Sequence, residues 1–438
     1  MSLLRRRFLS LLAGTPALAM RTAHAESPPP AMPHVAWSRQ AAIYELNLRQ
    51  FSADGTLQAA MAELPRLKAL GVDIVWLMPL QPIGAKNRKG TLGSYYSIRD
   101  YTAVNPEFGT LAEARAFVQA AHAQGMKVIL DWVANHTAFD HPWTREHKDW
   151  YKLDAHGEIF PVTFNAGTPS EEHWADVTQL NYDAPALRDA MIAAMRFWVR
   201  ETGLDGFRCD VASLVPTPFW ERARRELDAM KPMFMLAESD KIELHRAAFD
   251  MTYSWDLARL FHEIGQGKAG AAELRDWALK EPHGFPPSAY RMRFTNNHDF
   301  NSWNGTDAEL YGDNYLPLAV LTFTLPGMPL IYDGQESRLT KRLEFFEKDP
   351  IAWKTYELHP FYTKLLALKH AHPALAAGQY GGPLALLDVG NDSLFAFGRT
   401  LADDSVSVVV NVTASEQKLR LGNAERSLPA HGWLIETA

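Results

Sequence analysis

Residues 203–210 read Gly-Leu-Asp-Gly-Phe-Arg-Cys-Asp: a glycine, a short run that contains Leu204, Phe207 and Cys209, and a closing aspartate. The helical pattern of residues 185–201 ends near this glycine, and the run 206–210 has the length of a buried strand. A helix, a turn and a strand in this order form the repeating unit of proteins with a parallel sheet. With 438 residues, the chain is long enough for many such units around one large core.

Similar apolar runs recur along the chain. The predicted strands are residues 42–46, 73–78, 127–133, 206–210, 233–238, 249–253, 291–295 and 328–332. Segments with helical periodicity lie between them, and one of these, residues 111–124, ends at a glycine. Eight strands with interleaved helices predict an α/β fold, a TIM (β/α)8 barrel.

Two stretches interrupt this pattern. Residues 136–174 are rich in aromatic residues, Asp, Gly and Pro without a helical period, which predicts a short excursion over the barrel mouth after the third strand. Past residue 371, short runs at 394–397, 405–412, 417–421 and 433–436, separated by turn residues, predict the strands of an antiparallel β domain. We therefore expect a catalytic barrel at 36–371, with the excursion at about 136–174, and a C-terminal β domain at 372–438.

The N-terminus is typical of an export signal. Residues 1–7 are basic, residues 8–20 are mostly apolar, and residues 23–25 form a small-residue cleavage site, which predicts a signal peptide at 1–25 and a Pro-rich linker at 26–35. Arg5 and Arg6, followed by Arg7-Phe8-Leu9, match the twin-arginine pattern. An ordinary secretory peptide is the alternative. In both cases the mature protein is expected to be periplasmic or secreted, with no membrane span.

The overall charge indicates the class of substrate. The formal net charge is -7 and there is no long basic stripe, so nucleic acid is not expected as a partner and a neutral substrate is favoured. The single cysteine, Cys209, excludes an intramolecular disulfide.

Polar residues close four of the predicted strands. In a TIM barrel, catalytic residues project from the carboxyl ends of the strands, so these positions are candidates for function. The candidates are Asp131 with Asn135 and His136, then Asp210, then Glu238, and finally His298 with Asp299. Three carboxylates, Asp210, Glu238 and Asp299, are therefore expected to converge on one mouth.

These residues resemble the four motifs of the alpha-amylase superfamily, glycoside hydrolase family 13, both in their order along the chain and in their local amino-acid sequence. The matching stretches are DWVANH at 131–136, GFRCD at 206–210, the run ending at Glu238, and NHD at 297–299, with flanking matches at 96–101, 105–109, 180–181, 327–329 and 334–336. Each motif alone is weak, but all of them at barrel-strand spacing form a specific signal. The resemblance covers residues 36–438 and implies a retaining hydrolase of alpha-glucosidic bonds.

The chemistry of glycoside cleavage agrees with the roles that the resemblance implies. One carboxylate, assigned to Asp210, attacks the anomeric carbon, and one carboxylic acid, assigned to Glu238, protonates the leaving oxygen. Arg208 lies two residues before Asp210 on the same face of the strand and is expected to keep it ionised. The resemblance assigns Asp299 to the sugar hydroxyls and to developing positive charge. It assigns the remaining substrate contacts to His136, His298 and, as a stacking platform, Tyr96.

Each assignment has a structural alternative. Arg208 and Asp210 could form a structural ion pair, His136 or His298 could be a buried imidazole without a role in binding, and Tyr96 could be a core residue. The presence of all these residues together favours the functional interpretation. A non-catalytic amylase-like binding protein is a remote alternative, because the three carboxylates are all present. An exo-acting alpha-glucosidase, or a glucanotransferase or trehalose synthase on the same scaffold, stays open. Maltooligosaccharides or starch-type glucans with alpha-1,4 bonds are the expected substrates.

Calcium is the point at which the sequence departs from better-known relatives. The resemblance implies a calcium ion held by the asparagine matched by Asn135, by oxygens of the excursion and by a backbone carbonyl after the nucleophile. The Lys-His pair of that loop is replaced here by Ser213-Leu214. Candidate oxygens of the excursion belong to Asp140, Asp149, Asp154 and Asp176. We expect no metal among the site residues and no cofactor requirement, although a calcium ion stays possible.

Overall fold

A closed barrel of eight parallel strands forms the centre of the computed structural model. The structure describes residues 34–438 apart from residues 166, 169, 170 and 423, so the predicted signal peptide and all but the last two residues of the predicted linker lie outside the described residues. The described strands are β1 Ile43–Leu46, β2 Ile74–Leu77, β3 Lys127–Trp132, β4 His136–Ala138, β5 Pro161–Phe164, β6 Glu172–Gln179, β7 Gly206–Cys209, β8 Phe234–Ala237, β9 Met251–Tyr253, β10 Tyr290–Arg293, β11 Met328–Tyr332, β12 Leu384–Leu386, β13 Phe395–Leu401, β14 Asp404–Val410, β15 Gln417–Leu421, β16 Ala424–Leu428 and β17 Trp433–Thr437.

The α-helices surround this barrel or connect its strands. They are α1 Leu48–Phe51, α2 Leu57–Ala62, α3 Leu64–Leu70, α4 Leu111–Ala123, α5 Trp143–Glu146, α6 Pro185–Thr202, α7 Thr217–Asp228, α8 Trp255–Gly265, α9 Ala271–Gly284, α10 Asp307–Tyr311, α11 Tyr315–Thr324 and α12 His359–Ala371. Local sequence sets the ends of the long ones: Thr110 and Glu113 form a capping box before α4, and Gly203, with φ 81°, ends α6 in the left-handed conformation. Within the described residues, no helix has the length and apolar character needed to cross a membrane.

The predicted TIM barrel is confirmed. Around the barrel the strand order is β1-β11-β10-β9-β8-β7-β3-β2, and every neighbouring pair is parallel. Apart from Lys127, every residue of these eight strands is buried, as expected for a parallel sheet covered by helices. The seventh predicted strand, residues 291–295, is observed as β10 one residue earlier and ends at Arg293.

Alternation along β7 separates the two layers of the core. Phe207 and Cys209 pack with the surrounding helices, whereas Arg208 faces the barrel interior beside Trp76. Gly206 allows β7 and β8 to approach closely, since a Cβ at this position would lie 1.9 Å from the carbonyl oxygen of Phe234. β7, which directly precedes Asp210, is therefore held between β3 on one side and β8 on the other.

The excursion and the C-terminal region are both small antiparallel structures. The excursion forms a three-stranded sheet in the order β4-β6-β5, and β6 continues to Gln179. The C-terminal region contains the sheet β12-β13-β14-β17 and the hairpin β15-β16, which confirms the predicted antiparallel domain. Arg399 of β13 is buried and donates hydrogen bonds to the carbonyl oxygens of Thr324 and Leu325 in the barrel, which joins the two parts.

Candidate active site

The carboxyl ends of the barrel strands open into a cleft of about 780 Å³. Six of the seven predicted site residues line this cleft: Tyr96, His136, Asp210, Glu238, His298 and Asp299. The seventh, Arg208, lies beneath the cleft with no exposed surface. The structure therefore places the whole predicted set at one mouth, although the set comes from five different strands or their loops.

Arg208 forms the floor of the site. Its Nη1 atom lies 3.0 Å from Oδ1 of Asp131 and 3.2 Å from Oδ1 of Asp210, and its Nη2 atom lies 3.0 Å from Oε2 of Glu238. Its Nε atom donates to the hydroxyl of Tyr253 at 3.1 Å. The sequence predicted the pair with Asp210, and the structure shows that one guanidinium is shared among three carboxylates. Because a buried cation needs compensating charge, Asp131 is as much part of this floor as Asp210.

The charge state of Asp210 depends on its neighbours. Burial and the Glu238 carboxylate raise the pKa of Asp210 well above its ordinary value, while Arg208 opposes the rise. Arg208 alone therefore does not keep the pKa of Asp210 low, as the sequence led us to expect, because burial and the Glu238 carboxylate outweigh it. Glu238 Oε2 also accepts the backbone N–H of Val211 at 2.8 Å.

His298 is held as a cation at the wall of the cleft. Burial alone would lower its pKa, but the carboxylates of Asp299 and Glu45 outweigh burial and raise the pKa of His298 to about 9. Glu45 Oε1 lies 2.5 Å from its Nδ1 atom, and the Tyr96 hydroxyl lies 2.7 Å from its Nε2 atom. An imidazolium donates at both nitrogens, so the hydroxyl oxygen of Tyr96 accepts a hydrogen bond from Nε2 of His298. The Tyr96 hydroxyl in turn donates a hydrogen bond to Asp131 Oδ2 at 3.0 Å.

His136, in contrast to His298, is uncharged. Burial lowers its pKa to about 4, so the ring is neutral at pH 7. Its Nδ1 atom lies 3.2 Å from the Asn135 amide nitrogen, and acceptance there leaves the proton on Nε2. Its ring lies edge-to-face against Trp174, with centroids 5.6 Å apart. The cleft is thus bordered by one neutral and one charged histidine.

The oxygens that would bind calcium do not form a cage. Asn135 Oδ1 accepts from Gln179 Nε2 at 3.3 Å, and the Asn135 carbonyl accepts from Leu180 N at 2.9 Å. Asp176 pairs with Lys89 at 3.1 Å. Nowhere among the described residues do three His, Cys, Asp or Glu side chains stand close enough together to hold a metal. Calcium needs six to eight converging oxygens, and no group of three such side chains among the described residues contributes to them.

Sequence reasoning missed several residues of the site. Glu45 has no exposed surface, and it lies in β1 between Tyr44 and Leu46. A charged residue inside a buried apolar strand was the available signal, because such a side chain requires a partner. Trp303, Phe345 and other aromatic residues of the cleft come from loops with no periodic pattern, and no signal in the sequence identified them.

Comparison with known proteins agrees with this geometry. Residues 41–357 match the description of the alpha-amylase catalytic domain. The alpha-amylase MalA of Haloarcula japonica is 29% identical over 395 residues, which cover 86% of this chain and 56% of that protein. The cyclomaltodextrinase of a Bacillus species is 28% identical over 403 residues, which cover 86% of this chain and 69% of that protein.

A solved structure agrees as well. The alpha-amylase of Lactobacillus plantarum superimposes with a TM-score of 0.81 at 29% identity, over 92% of this chain and 99% of that one. The chain spans little more than half the length of the Haloarcula protein, so the match concerns the barrel and its appended β domain. On the family match, which covers most of the barrel, this chain belongs to the alpha-amylase family, glycoside hydrolase family 13.

Proposed function

We propose that this protein is a retaining glycoside hydrolase that cleaves alpha-glucosidic bonds. The observation that carries the proposal is the shared contact of Arg208 with Asp210 and Glu238 at the floor of an open cleft. Asp210 and Glu238 therefore stand side by side on one guanidinium. This arrangement is compatible with a retaining enzyme, whose two carboxyls stand about 5–5.5 Å apart.

The reaction then follows a double displacement. Asp210 attacks the anomeric carbon while Glu238 gives its proton to the glycosidic oxygen, and the leaving sugar departs with that proton. Glu238 next takes a proton from water, whose oxygen displaces Asp210, so the product keeps the alpha configuration. Asp299, beside His298, stabilises the positive charge of both transition states.

The neighbouring side chains fit one glucosyl unit. Tyr96 offers its ring, and its hydroxyl is already engaged by His298 and Asp131, so it contributes an apolar face. His136 and His298 line the same part of the cleft, and His298, whose two N–H groups are taken by Glu45 and Tyr96, contributes its charge and its ring rather than a free donor. Alpha-1,4-linked maltooligosaccharides are the proposed substrates, because the similar proteins named above are an alpha-amylase and a cyclomaltodextrinase.

The deciding experiment identifies the reaction products and measures the activity of active-site variants. The mature protein is incubated with maltooligosaccharides, starch, pullulan, isomaltose, trehalose and sucrose, and early products are examined by NMR for their anomeric configuration. Asp210→Asn and Glu238→Gln each lower kcat by at least about a thousandfold with little change in melting temperature. Cys209→Ala is the matched control, because Cys209 is next to Asp210 in sequence but packs on the helix side of the strand.

The outcomes separate the alternatives. Inverted product, or an Asp210→Asn protein with a near-normal rate, contradicts the mechanism. Faster turnover of isomaltose or sucrose than of maltotetraose assigns an exo-acting alpha-glucosidase. Fewer new reducing ends than bonds cleaved assigns a transferase or a trehalose synthase.

We also propose that the chain is exported by the twin-arginine route. The support is the sequence Arg5-Arg6-Arg7-Phe8-Leu9 ahead of an apolar segment and a small-residue cleavage site. Fusion of residues 1–30 to a reporter tests it. Replacement of Arg5 and Arg6 by lysine stops export by this route, and unchanged export indicates an ordinary secretory peptide.

A further inference from the structure

Trp303 is an exposed aromatic residue at the rim of the catalytic cleft. It lies in the single π-helical turn Phe300–Asn304, directly after Asp299, and it lines the same cleft. Its side chain is 55% exposed, which makes it the most exposed of the described tryptophans. An exposed indole at the edge of a binding cleft offers an apolar face that a ligand can cover.

The indole rests on an aromatic base that leads to the catalytic centre. Its ring centroid lies 5.2 Å from that of Phe345 and 5.8 Å from that of Phe346. Phe345 in turn lies parallel to Tyr96, with centroids 6.4 Å apart and an interplanar angle of 17°. The rings of Tyr96, Phe345 and Trp303 form a continuous aromatic strip from the proposed reaction centre to the rim.

The strip is held in place by hydrogen bonds. Asn301, which is almost fully buried, accepts the backbone N–H of Leu343 at 2.8 Å and donates to the Lys341 carbonyl at 3.2 Å. Ser302 donates to the Leu343 carbonyl at 3.0 Å. The turn that carries Trp303 is therefore fastened to the loop that carries Phe345. A platform that is already ordered loses little conformational entropy when a ligand covers it.

A second stacked aromatic pair contributes to the cleft. Trp174, which lines it, stacks on Phe164 with centroids 5.1 Å apart and an interplanar angle of 12°. Glu172, Asp176 and Asn304 also line the cleft. Aromatic faces flanked by carboxylates and amides suit a sugar ring, which has apolar C–H faces and a rim of hydroxyls.

We propose that Trp303 is the stacking platform of a glucosyl-binding subsite outside the reaction centre, on the Asp299 side of the cleft. The ligand is a neutral alpha-glucan chain, one of whose sugar rings covers the exposed indole face. This inference rests on the proposed function, since it assumes that the cleft binds such chains. It implies that longer chains gain affinity that a disaccharide does not, because only they reach from Tyr96 to the rim.

The experiment compares chain lengths in matched variants. kcat/KM is measured for maltose to maltoheptaose in the wild type, Trp303→Ala and Trp303→Phe, and Kd for the same series is measured calorimetrically in an Asp210→Asn background. In Trp303→Ala the ratio of the value for maltoheptaose to that for maltose falls about tenfold, and Trp303→Phe restores most of it. Leu279→Ala is the control, because Leu279 is 59% exposed and does not line the cleft.

The experiment distinguishes a failure of the Trp303 subsite from a failure of the proposed glycoside hydrolase function. If the wild type cleaves the series but Trp303→Ala loses the same factor at every length, or loses nothing, the subsite is wrong and the proposed function stands. If the wild type cleaves no alpha-glucan and the Asp210→Asn protein binds none, both are wrong. Melting temperatures of all variants establish that each loss arises in the folded protein.

Discussion

The charge on His298 can be tested by the substitution Glu45→Gln. The change removes one charge and keeps the shape of a buried side chain whose Oε1 atom lies 2.5 Å from Nδ1 of His298. Two groups contact the ring nitrogens of His298 from other elements, Glu45 from β1 and Tyr96 from the loop after β2. The other groups that act on its charge are Asp299 from its own loop, Arg208 of β7, Asp131 of β3 and Asp333 after β11. Glu45 is the one carboxylate on the Nδ1 side among the described contacts.

The raised pKa of His298 also sets the size of the free-energy change that the substitution should affect. The pKa of His298 rises from an ordinary 6.5 to about 9, and this interval corresponds to about 3 kcal/mol in favour of the imidazolium. Because the pKa is raised by folding, this stabilisation is complete below pH 6.5 and is lost as the pH rises through 9. Glu45→Gln leaves Asp299 to support the charge and is expected to lower the pKa of His298 by about 1–3 units.

Two measurements check this expectation. In the wild type, kcat/KM falls on the alkaline side near pH 9 as His298 loses its proton, and in Glu45→Gln this limb moves towards neutral pH. The free energy of unfolding falls less between pH 6.5 and 9 in the variant than in the wild type. Glu336→Gln is the control: Glu336 is equally buried, but it contacts Tyr44 and Arg66. An alkaline limb that stays in place in Glu45→Gln would refute the reasoning.

Two further predictions concern metal and packing. Dialysis against EGTA leaves both the rate and the melting temperature unchanged, because the oxygens around Asn135 are occupied by protein donors; a loss that Ca²⁺ but not Mg²⁺ restores would contradict this. Gly206→Ala lowers the free energy of unfolding by about 2 kcal/mol or more, since its Cβ would meet the Phe234 carbonyl at 1.9 Å. Gly284→Ala, where nothing lies within 4 Å, is the control and stays within about 0.5 kcal/mol in chemical denaturation.

The parts of the fold that sequence predicted best are those in which a short-range rule fixes the result. Asp210 and Glu238 each follow an apolar run of four or five residues, and parallel barrel strands all end at the same mouth. Period-2 alternation placed Arg208 inside the barrel and Cys209 outside it, as observed. The hairpin strand β16 was missed because most of its residues are exposed, so its sequence has no apolar run to detect.

The parts that escaped prediction depend on contacts between distant segments. Glu45 and His298 are 253 residues apart in sequence and meet only because β1 closes the barrel against β11. The Trp303 platform depends on how the loop around Phe345 folds over the turn after Asp299. Neither contact follows from local propensity, since each side chain gains its partner from a surface that exists only after the strands have assembled.

The assembled site has an excess of negative charge, and this excess has a chemical consequence. Two cations, Arg208 and His298, face a larger number of buried or partly buried carboxyl groups, which are Glu45, Asp131, Asp210, Glu238 and Asp299. Even with a proton on Asp210, whose pKa is raised by burial and by the Glu238 carboxylate, the formal charge of these groups stays negative. Glycoside cleavage develops positive charge at that carbon, so the site stabilises the transition state more than the neutral substrate. Arg208 and His298 are therefore best understood as the charges that allow so many carboxylates to be gathered under one sugar ring.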